Sequence, residues 1–394
     1  MNRTSPRRRT CRTPTGAQVE RALRRCDDIR TAVDAHVTSD RMLRYLKALS
    51  DTPAPSGAAS LMRTPILRSL LSEDGALGGR LTLTADYRGT GAAALSAGSG
   101  AESGLWYIAH LDTISYLVHP LRGDRYPLVP YCYHLTERGE RPAQALRYDL
   151  ARGAFGVVAE GSLVSDGDGP SFRPDGSERL RPGDRVVPVA PFEISAGGLL
   201  TGHFDNAGGV AALALAAPVL AEIECDAFLP MPDEEEGPAA TGNQSIGRGS
   251  GRLVAAAPAP RLSVVVDMQQ TAAEGNRGPD GAGMPGAGAV LSEFSSLARG
   301  AVTPPPLYSA VREFTQNLGA RGATVKETSN LYTSRSDDVS VMLRNPDIVL
   351  LGFPGADRHF DSAYPTAHLD DLVSLSRALV YISALAAEFA EAET

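Results

Sequence analysis

The chain shows no apolar run of membrane-spanning length, so no transmembrane helix is expected. It has few cysteines. Cys11, Cys26, Cys132 and Cys225 are scattered with no CxxC spacing, which points away from a zinc ribbon or a disulfide framework and toward a reducing, cytoplasmic compartment. It lacks an excess of positive charge. A net charge of -8 argues against nucleic acid as the main partner. The basic run Arg7-Arg8-Arg9 is not followed by an apolar segment, so a secretory signal is not expected, and residues 1–18 read as a disordered basic arm. There is no internal repeat. What is present is 394 residues, 43% hydrophobic and 21% charged, the profile of a soluble globular protein with two domains and a core of ordinary enzyme size.

The chain is organised around Leu200-Thr-Gly-His-Phe-Asp205-Asn206-Ala-Gly-Gly209, a turn holding one carboxylate that opens directly into an apolar helix. An Asp-Asn pair before a helix is in most proteins only an N-cap. The segments around it give this one more weight. Residues 19–49 have a charged helical pattern, broken by Asp51-Thr-Pro-Ala-Pro-Ser-Gly57, and residues 58–71 form a second helix. Residues 80–86 alternate as a strand, 91–104 read as a small-residue hairpin or loop, and Leu105 to His110 is a short buried strand. From 120 to 199, prolines and glycines punctuate short β-like pieces (154–159, 163–164 and 185–189), with a turn at Arg181-Pro-Gly-Asp184. That stretch reads as a small all-β domain inserted into a discontinuous α/β domain, residues 19–119 and 200–394. Apolar strands at 262–267 and 347–353 alternate with helices at 210 onward, 306–319 and 369–389. The alternation predicts a mostly parallel sheet flanked by helices. The segment 271–300, rich in Gly, Ala and Pro, reads as a mobile loop.

In such sheets ligands gather at the carboxyl ends of strands. Three apolar strands end at or near metal-capable residues: His110, Asp267 and His359. Asp205 opens a helix, and Glu234-Glu235-Glu236-Gly237 follows a further candidate strand. Each has a plainer reading: a satisfied core histidine, a turn aspartate, a solvated acidic run. Together they form an oxygen-rich set with two imidazoles, suited to a pair of Zn²⁺, Mn²⁺ or Co²⁺ ions bridged by Asp205. In His110-Leu-Asp112 the carboxylate can orient the ring. Of two neighbouring glutamates, one can bind metal while the other takes a proton from water.

The order of these motifs resembles the dinuclear metallo-aminopeptidases of the glutamyl aminopeptidase, tetrahedral aminopeptidase and endoglucanase M group. The matching pieces are Asp51 to Gly57, Ala109-His-Leu-Asp112, Arg181 to Val187, Leu200 to Gly209, Glu234 to Gly237, Val264 to Asp267, Ser334-Arg-Ser-Asp337 and Val349 to His359. The resemblance implies a zinc-aminopeptidase-like α/β domain split by a β-barrel-like insert that serves homo-oligomer assembly. It implies that His110 and Asp267 hold one ion, Asp205 bridges, Glu235 holds the second, Glu234 is the general base and Asp112 orients His110. Arg335 and Asp337 would meet the substrate, with Asp337 on its free amine. The family's acidic motif has an apolar residue where Glu236 stands, so the register can slip by one. The last ligand is His359, with His368 or Asp361 as alternatives, and His203 is placed behind the bridging aspartate or facing the substrate. The expected activity is removal of N-terminal residues from short peptides. A related deacylase of N-acyl amino acids and a degraded binding or assembly module are the competing readings.

Overall fold

A computed structural model describes residues 14–134, 136–237, 247–271, 283–298, 300–328 and 337–391. Residues 1–13 of the basic arm, Arg335 and, of the 271–300 segment expected as a loop, residues 272–282 and 299 lie outside the described residues, while Ala289–Ser292 of that segment form a strand.

Three helices open the chain: α1 (Gly16–His36), α2 (Ser39–Ser50) and α3 (Ala59–Glu73). The helical pattern expected over 19–49 is split at Val37–Thr38, where the Thr38 hydroxyl accepts from Arg41 N at 3.3 Å and starts a new helix. Strands β1 (Leu81–Thr84), β2 (Ala93–Ala97) and β3 (Leu105–Ile108) follow. β2 occupies the small-residue stretch expected to be hairpin or loop. Its alanines leave room for close packing on both faces.

Six strands then close into a barrel: β4 (Tyr116–Val118), β5 (Tyr126–Pro130), β6 (Gly139–Asp149), β7 (Ala154–Asp166), β8 (Gly169–Pro174) and β9 (Arg185–Pro188). The pieces expected at 154–159 and 163–164 are one strand, β7. Tyr116, Leu163, Phe172 and Val186 fill the barrel, joined by Phe360 from outside it.

The chain returns through β10 (Glu193–Ile194) and β11 (Leu199–Thr201) to α4 (Ala207–Glu222), β12 (Ala227–Met231), α5 (Arg248–Ala256), β13 (Leu262–Gln270) and β14 (Ala289–Ser292). It ends with α6 (Pro305–Gln316), β15 (Val325–Thr328), α7 (Asp337–Arg344), β16 (Ile348–Ala356), β17 (Thr366–His368) and α8 (Leu369–Glu391). The large sheet has eleven strands in the order β1-β2-β12-β3-β13-β16-β17-β11-β10, with β14 beside β16 and β15 beside β14. It is mixed rather than mostly parallel. The central pairs β12–β3, β3–β13 and β13–β16 are parallel, while β1–β2, β2–β12, β14–β16, β16–β17, β17–β11 and β11–β10 are antiparallel. β1–β2, β16–β17 and β10–β11 are joined by short links, which permit antiparallel pairing, while β14 and β15 pair in parallel across α6.

Side chains alternate across this sheet. Tyr107, Val264, Val266 and Leu351 face α1, α2, α4 and α8, while Trp106, Ile108, Val265 and Leu350 face Leu253 of α5 and Val341 of α7. α4 is apolar all round because it is buried all round; covering a side chain such as Leu213 contributes roughly 1.5–3 kcal/mol. α8 corrects the membrane expectation. Leu369–Ala390 is long and apolar enough to span a bilayer by length and composition, yet 78% of its apolar window is buried inside the protein.

Candidate metal centre

The parallel strands point their carboxyl ends to one edge, and the donors collect there. His110 follows β3, Glu235 and Glu236 follow β12, Asp267 lies within β13, and His359 follows β16. Asp205 stands just before α4. Gly208 and Gly209 let that helix sit close: a Cβ at 208 would lie 2.5 Å from the Phe353 ring, and one at 209 2.3 Å from Asn206 Oδ1. Asn206 fixes the start of α4, accepting from Gly209 N at 3.0 Å and donating to Val266 O at 2.7 Å.

The two oxygens of Asp205 face one histidine each. His110 Nε2 lies 3.3 Å from Asp205 Oδ1, 3.5 Å from Asp267 Oδ1 and 3.6 Å from Glu235 Oε2. His359 Nε2 lies 3.5 Å from Asp205 Oδ2 and 3.1 Å from Glu236 Oε2. Two donor groups result, His110–Asp205–Asp267 and Asp205–Glu236–His359. Ligands at about 2.0–2.1 Å from a tetrahedral ion stand roughly 3.3 Å apart, which matches these separations.

The histidines are aimed by their other nitrogens. His110 Nδ1 faces the Asp112 carbonyl at 3.0 Å and the Asp112 carboxylate at 3.4 Å; His359 Nδ1 faces the Tyr133 carbonyl at 2.6 Å. A proton on each Nδ1 leaves the Nε2 lone pairs facing the acids. Asp112 does more than orient His110. Its carboxylate accepts from Ser56 Oγ at 2.6 Å, from Glu235 N at 3.1 Å and from Glu236 N at 3.2 Å.

The acidic run sits one residue later than expected. Glu234 has φ +63° and turns away; its carboxylate accepts from Tyr131 at 2.8 Å and Arg252 at 2.9 Å, with Arg248 at 3.7 Å. Glu235, expected as the second ion's ligand, instead faces the His110 side, and Glu236 stands by His359. Asp233 takes no part either, since it accepts from Gly57 N, Ala59 N and Glu234 N at the start of α3. Sequence reasoning also missed Arg358, whose guanidinium donates to Asp205 Oδ2 at 3.3 Å. Its place beside His359 was the available signal.

Neither alternative last ligand enters the groups. The His368 ring faces the Gly197 carbonyl at 2.8 Å, and Asp361 lies outside both. His203 lines a cavity between α2, α3 and the barrel. Asp337 opens α7 and is buried, and among the described residues neither of its carboxylate oxygens has a hydrogen-bond partner.

The electrostatics show a surplus of buried acid. Burial raises the pKa of Glu235, Glu236 and Asp267, the histidines pull down and neighbouring carboxylates push up again, and the net is upward for all three. Burial pushes Asp337 up to about 7. Burial alone would lower His359, but chiefly Glu236 outweighs it and holds the ring up at about 9. Burial would also lower His110, yet Glu235, Asp112, Asp205 and Asp267 carry it well above the ordinary imidazole value. Asp205 goes the other way: burial opposes, but His110, His359 and Arg358 hold it well below the carboxylate range. His110 Nε2, His359 Nε2, Asp205 Oδ1, Glu235 Oε1 and Glu236 Oε1 are all buried, with no hydrogen-bond partner among the described residues. Orphaned donors this close are expensive unless a cation completes them, so the set fits a pair of divalent ions.

No family model matches the chain, and no curated protein matches it. Solved structures do. The TET1 peptidase of Pyrococcus horikoshii, described as assembling into a tetrahedron or a large octahedral shell, superposes with a TM-score of 0.66 at 17% identity, covering 87% of this chain and 99% of that one. An aminopeptidase from the archaeon Desulfurococcus kamchatkensis gives 0.67 at 16% identity, with coverages of 88% and 94%. An endoglucanase of Thermotoga maritima gives 0.58 at 15%, with 89% and 99%. Over nearly the whole of each of these chains, the fold described here is the one these proteins share.

Proposed function

We propose that the protein is a dinuclear metal-dependent aminopeptidase acting on short peptides. The observation that carries this reading is the placement of one carboxylate, Asp205, between two histidine-bearing donor groups. His110, Asp205 and Asp267 would hold one ion, and Asp205, Glu236 and His359 the other; Zn²⁺ suits the set best, with Co²⁺ and Mn²⁺ as substitutes. Such a pair, when bound, polarises a carbonyl and lowers the pKa of water.

The remaining steps belong to the chain. Glu235 takes the proton of the attacking water and returns it to the leaving amine. It stands 3.6 Å from His110 Nε2 yet belongs to neither donor group, which suits a base better than a ligand. Asp337 receives the substrate's free α-amine, which its burial and raised proton affinity equip it to do. That acceptor favours a free amine over the blocked one a deacylase needs, and the intact donor set disfavours a degraded binding module. Arg335 stays a sequence-based expectation. The barrel is proposed to serve assembly, with Leu150 89% exposed and Val157 51% exposed on the β6–β7 hairpin.

The test is a panel of aminoacyl reporter substrates, free and N-acetylated, with chelated protein and each divalent metal in turn. Hydrolysis of free-amine substrates that disappears on chelation and returns with metal is expected. Activity that survives chelation, or a preference for the blocked substrates, removes the reading.

A further inference from the structure

The His359 side of the candidate metal centre meets the barrel through the residues that follow β5. The His359 ring is aimed by Tyr133 O, which Nδ1 meets at 2.6 Å, and the His359 carbonyl accepts from Thr136 Oγ1 at 3.2 Å. Tyr133 is 39% exposed, so its own side chain does little to hold that carbonyl in place. The carbonyl belongs to the peptide unit that His134 N completes, and a peptide unit is planar. Whatever fixes His134 therefore limits where the acceptor for His359 can point.

His134 is tied at both ring nitrogens. Nδ1 stands 2.8 Å from the Tyr116 hydroxyl on β4, and Nε2 stands 3.3 Å from the Ser165 hydroxyl on β7. The Tyr116 and His134 rings also meet edge to face, with centroids 5.6 Å apart. A neutral imidazole offers one donor and one acceptor, and a hydroxyl can serve as either, so both bonds can form at once. Tyr116 is fully buried in the barrel core and Ser165 is buried beside it, so neither anchor is free to wander. The Thr136 side chain lies within hydrogen-bonding reach of the same phenol. One bond would let the ring pivot; two bonds to different strands hold it from both ends.

We propose that His134 is a positioning residue for His359. Pinned between β4 and β7, it holds the Tyr133 carbonyl against His359 Nδ1 and so points Nε2 at Asp205 and Glu236. His134 belongs to neither donor group, so its influence on the metal passes through His359. The inference rests on the dinuclear reading of the site and adds a residue to it. Groups that orient a ligand imidazole are worth about 10–100-fold in metal affinity. His134 acts one step further out, so the low end of that range applies.

The test uses the full chain, stripped of metal and titrated with Zn²⁺ against a chromophoric chelator that resolves both binding steps. His134→Phe keeps a ring and deletes both bonds, Tyr116→Phe deletes only the hydroxyl, and His134→Asn keeps an amide near the place of Nδ1. His134→Phe should weaken one step about tenfold and leave the other at the wild-type value. Tyr116→Phe should weaken the same step, and the double variant should lose less than the sum of the two. His134→Asn should recover most of the loss. In a His359→Ala background, which keeps only the His110-side ion, His134→Phe should change nothing. Undiminished affinity in both His134→Phe and Tyr116→Phe, equal weakening of both ions, no recovery in His134→Asn, or further loss in the His359→Ala background overturns the proposal. A wild-type chain that takes up no Zn²⁺ fails the dinuclear reading itself, and the inference falls with it before any variant is made.

Discussion

The two halves of the candidate metal centre are supported by different parts of the molecule. The His110 half rests on the middle of the large sheet: β3 and β13 pair in parallel, and Tyr107, Val264 and Val266 anchor them in the main core. The His359 half leans on the barrel. The His359 ring faces Tyr133 O, the His359 carbonyl accepts from Thr136 Oγ1 at 3.2 Å, Glu137 N donates to Asp361 O at 2.6 Å, and Phe360 is buried among barrel residues. One half is built into the sheet; the other is borrowed from a neighbouring module. Damage to the barrel should therefore reach one ion and spare the other.

The largest effect should erase the contrast. Asp205→Asn removes the carboxylate common to both groups, so elemental analysis should find neither ion retained and hydrolysis should vanish. Retention of one full equivalent would show that the halves do not share this ligand. Glu235→Gln comes next. It should keep the metal and lower kcat by about 10²–10⁴-fold, and a metal-depleted variant would make Glu235 a ligand after all. Phe360→Ala should sharpen the comparison. It empties a barrel-core site at a cost of about 3–5 kcal/mol and should drop bound metal from two equivalents toward one. Equal loss of both ions would mean the sheet half depends on the barrel too.

A smaller effect separates the two regions by pH. In the barrel, burial and the nearby His359 lower the pKa of His134, which faces Tyr116 OH at 2.8 Å. A depressed histidine stabilises the fold above its unfolded value, near 6.5, and that contribution is lost as pH falls. On the sheet side, burial raises Asp371 to about 7 despite hydrogen bonds from Gly286 N and Gly288 N. Its contribution is full below the unfolded pKa, near 3.9, and is lost as pH rises through 7, on the order of 1 kcal/mol per pH unit. Acid thus weakens the barrel while it relieves the sheet side. His134→Gln should flatten the acid limb of a stability profile, and Asp371→Asn should flatten the decline between about pH 4 and 7. Unchanged profiles would refute these assignments. The smallest effect is reserved for Glu234→Gln, which should change kcat less than twofold to threefold, within the spread of a surface ion pair. A collapse of activity there would restore Glu234 as the base.

Much of this site could be read from the sequence because chemistry left an ordered trace: a histidine after one apolar strand, an acid after another, an aspartate opening a helix. The register of Glu234, Glu235 and Glu236 could not be read, since three identical side chains differ only in backbone direction. The left-handed φ at Glu234 and the pull of Tyr131 and Arg252 decide which way each points. The mixed pairing was hidden for a similar reason. β2 is built from Ala93-Ala-Leu-Ser-Ala97, which has no strand-like alternation, and it becomes a strand only because β1 and β12 flank it. β6 carries a polar, exposed face, and its pairing with β7 rather than its composition defines it. The choice of His359 over His368 depended on a contact no local pattern encodes, the seating of Phe360 in the barrel.

One carboxylate links two members of the acidic run. Asp112 grips the backbone of Glu235 and of Glu236 at once. The proposed base and the proposed metal ligand are therefore set by the same anchor, so a shift in one carries the other with it. The geometry can drift as a unit, but it cannot be retuned piece by piece.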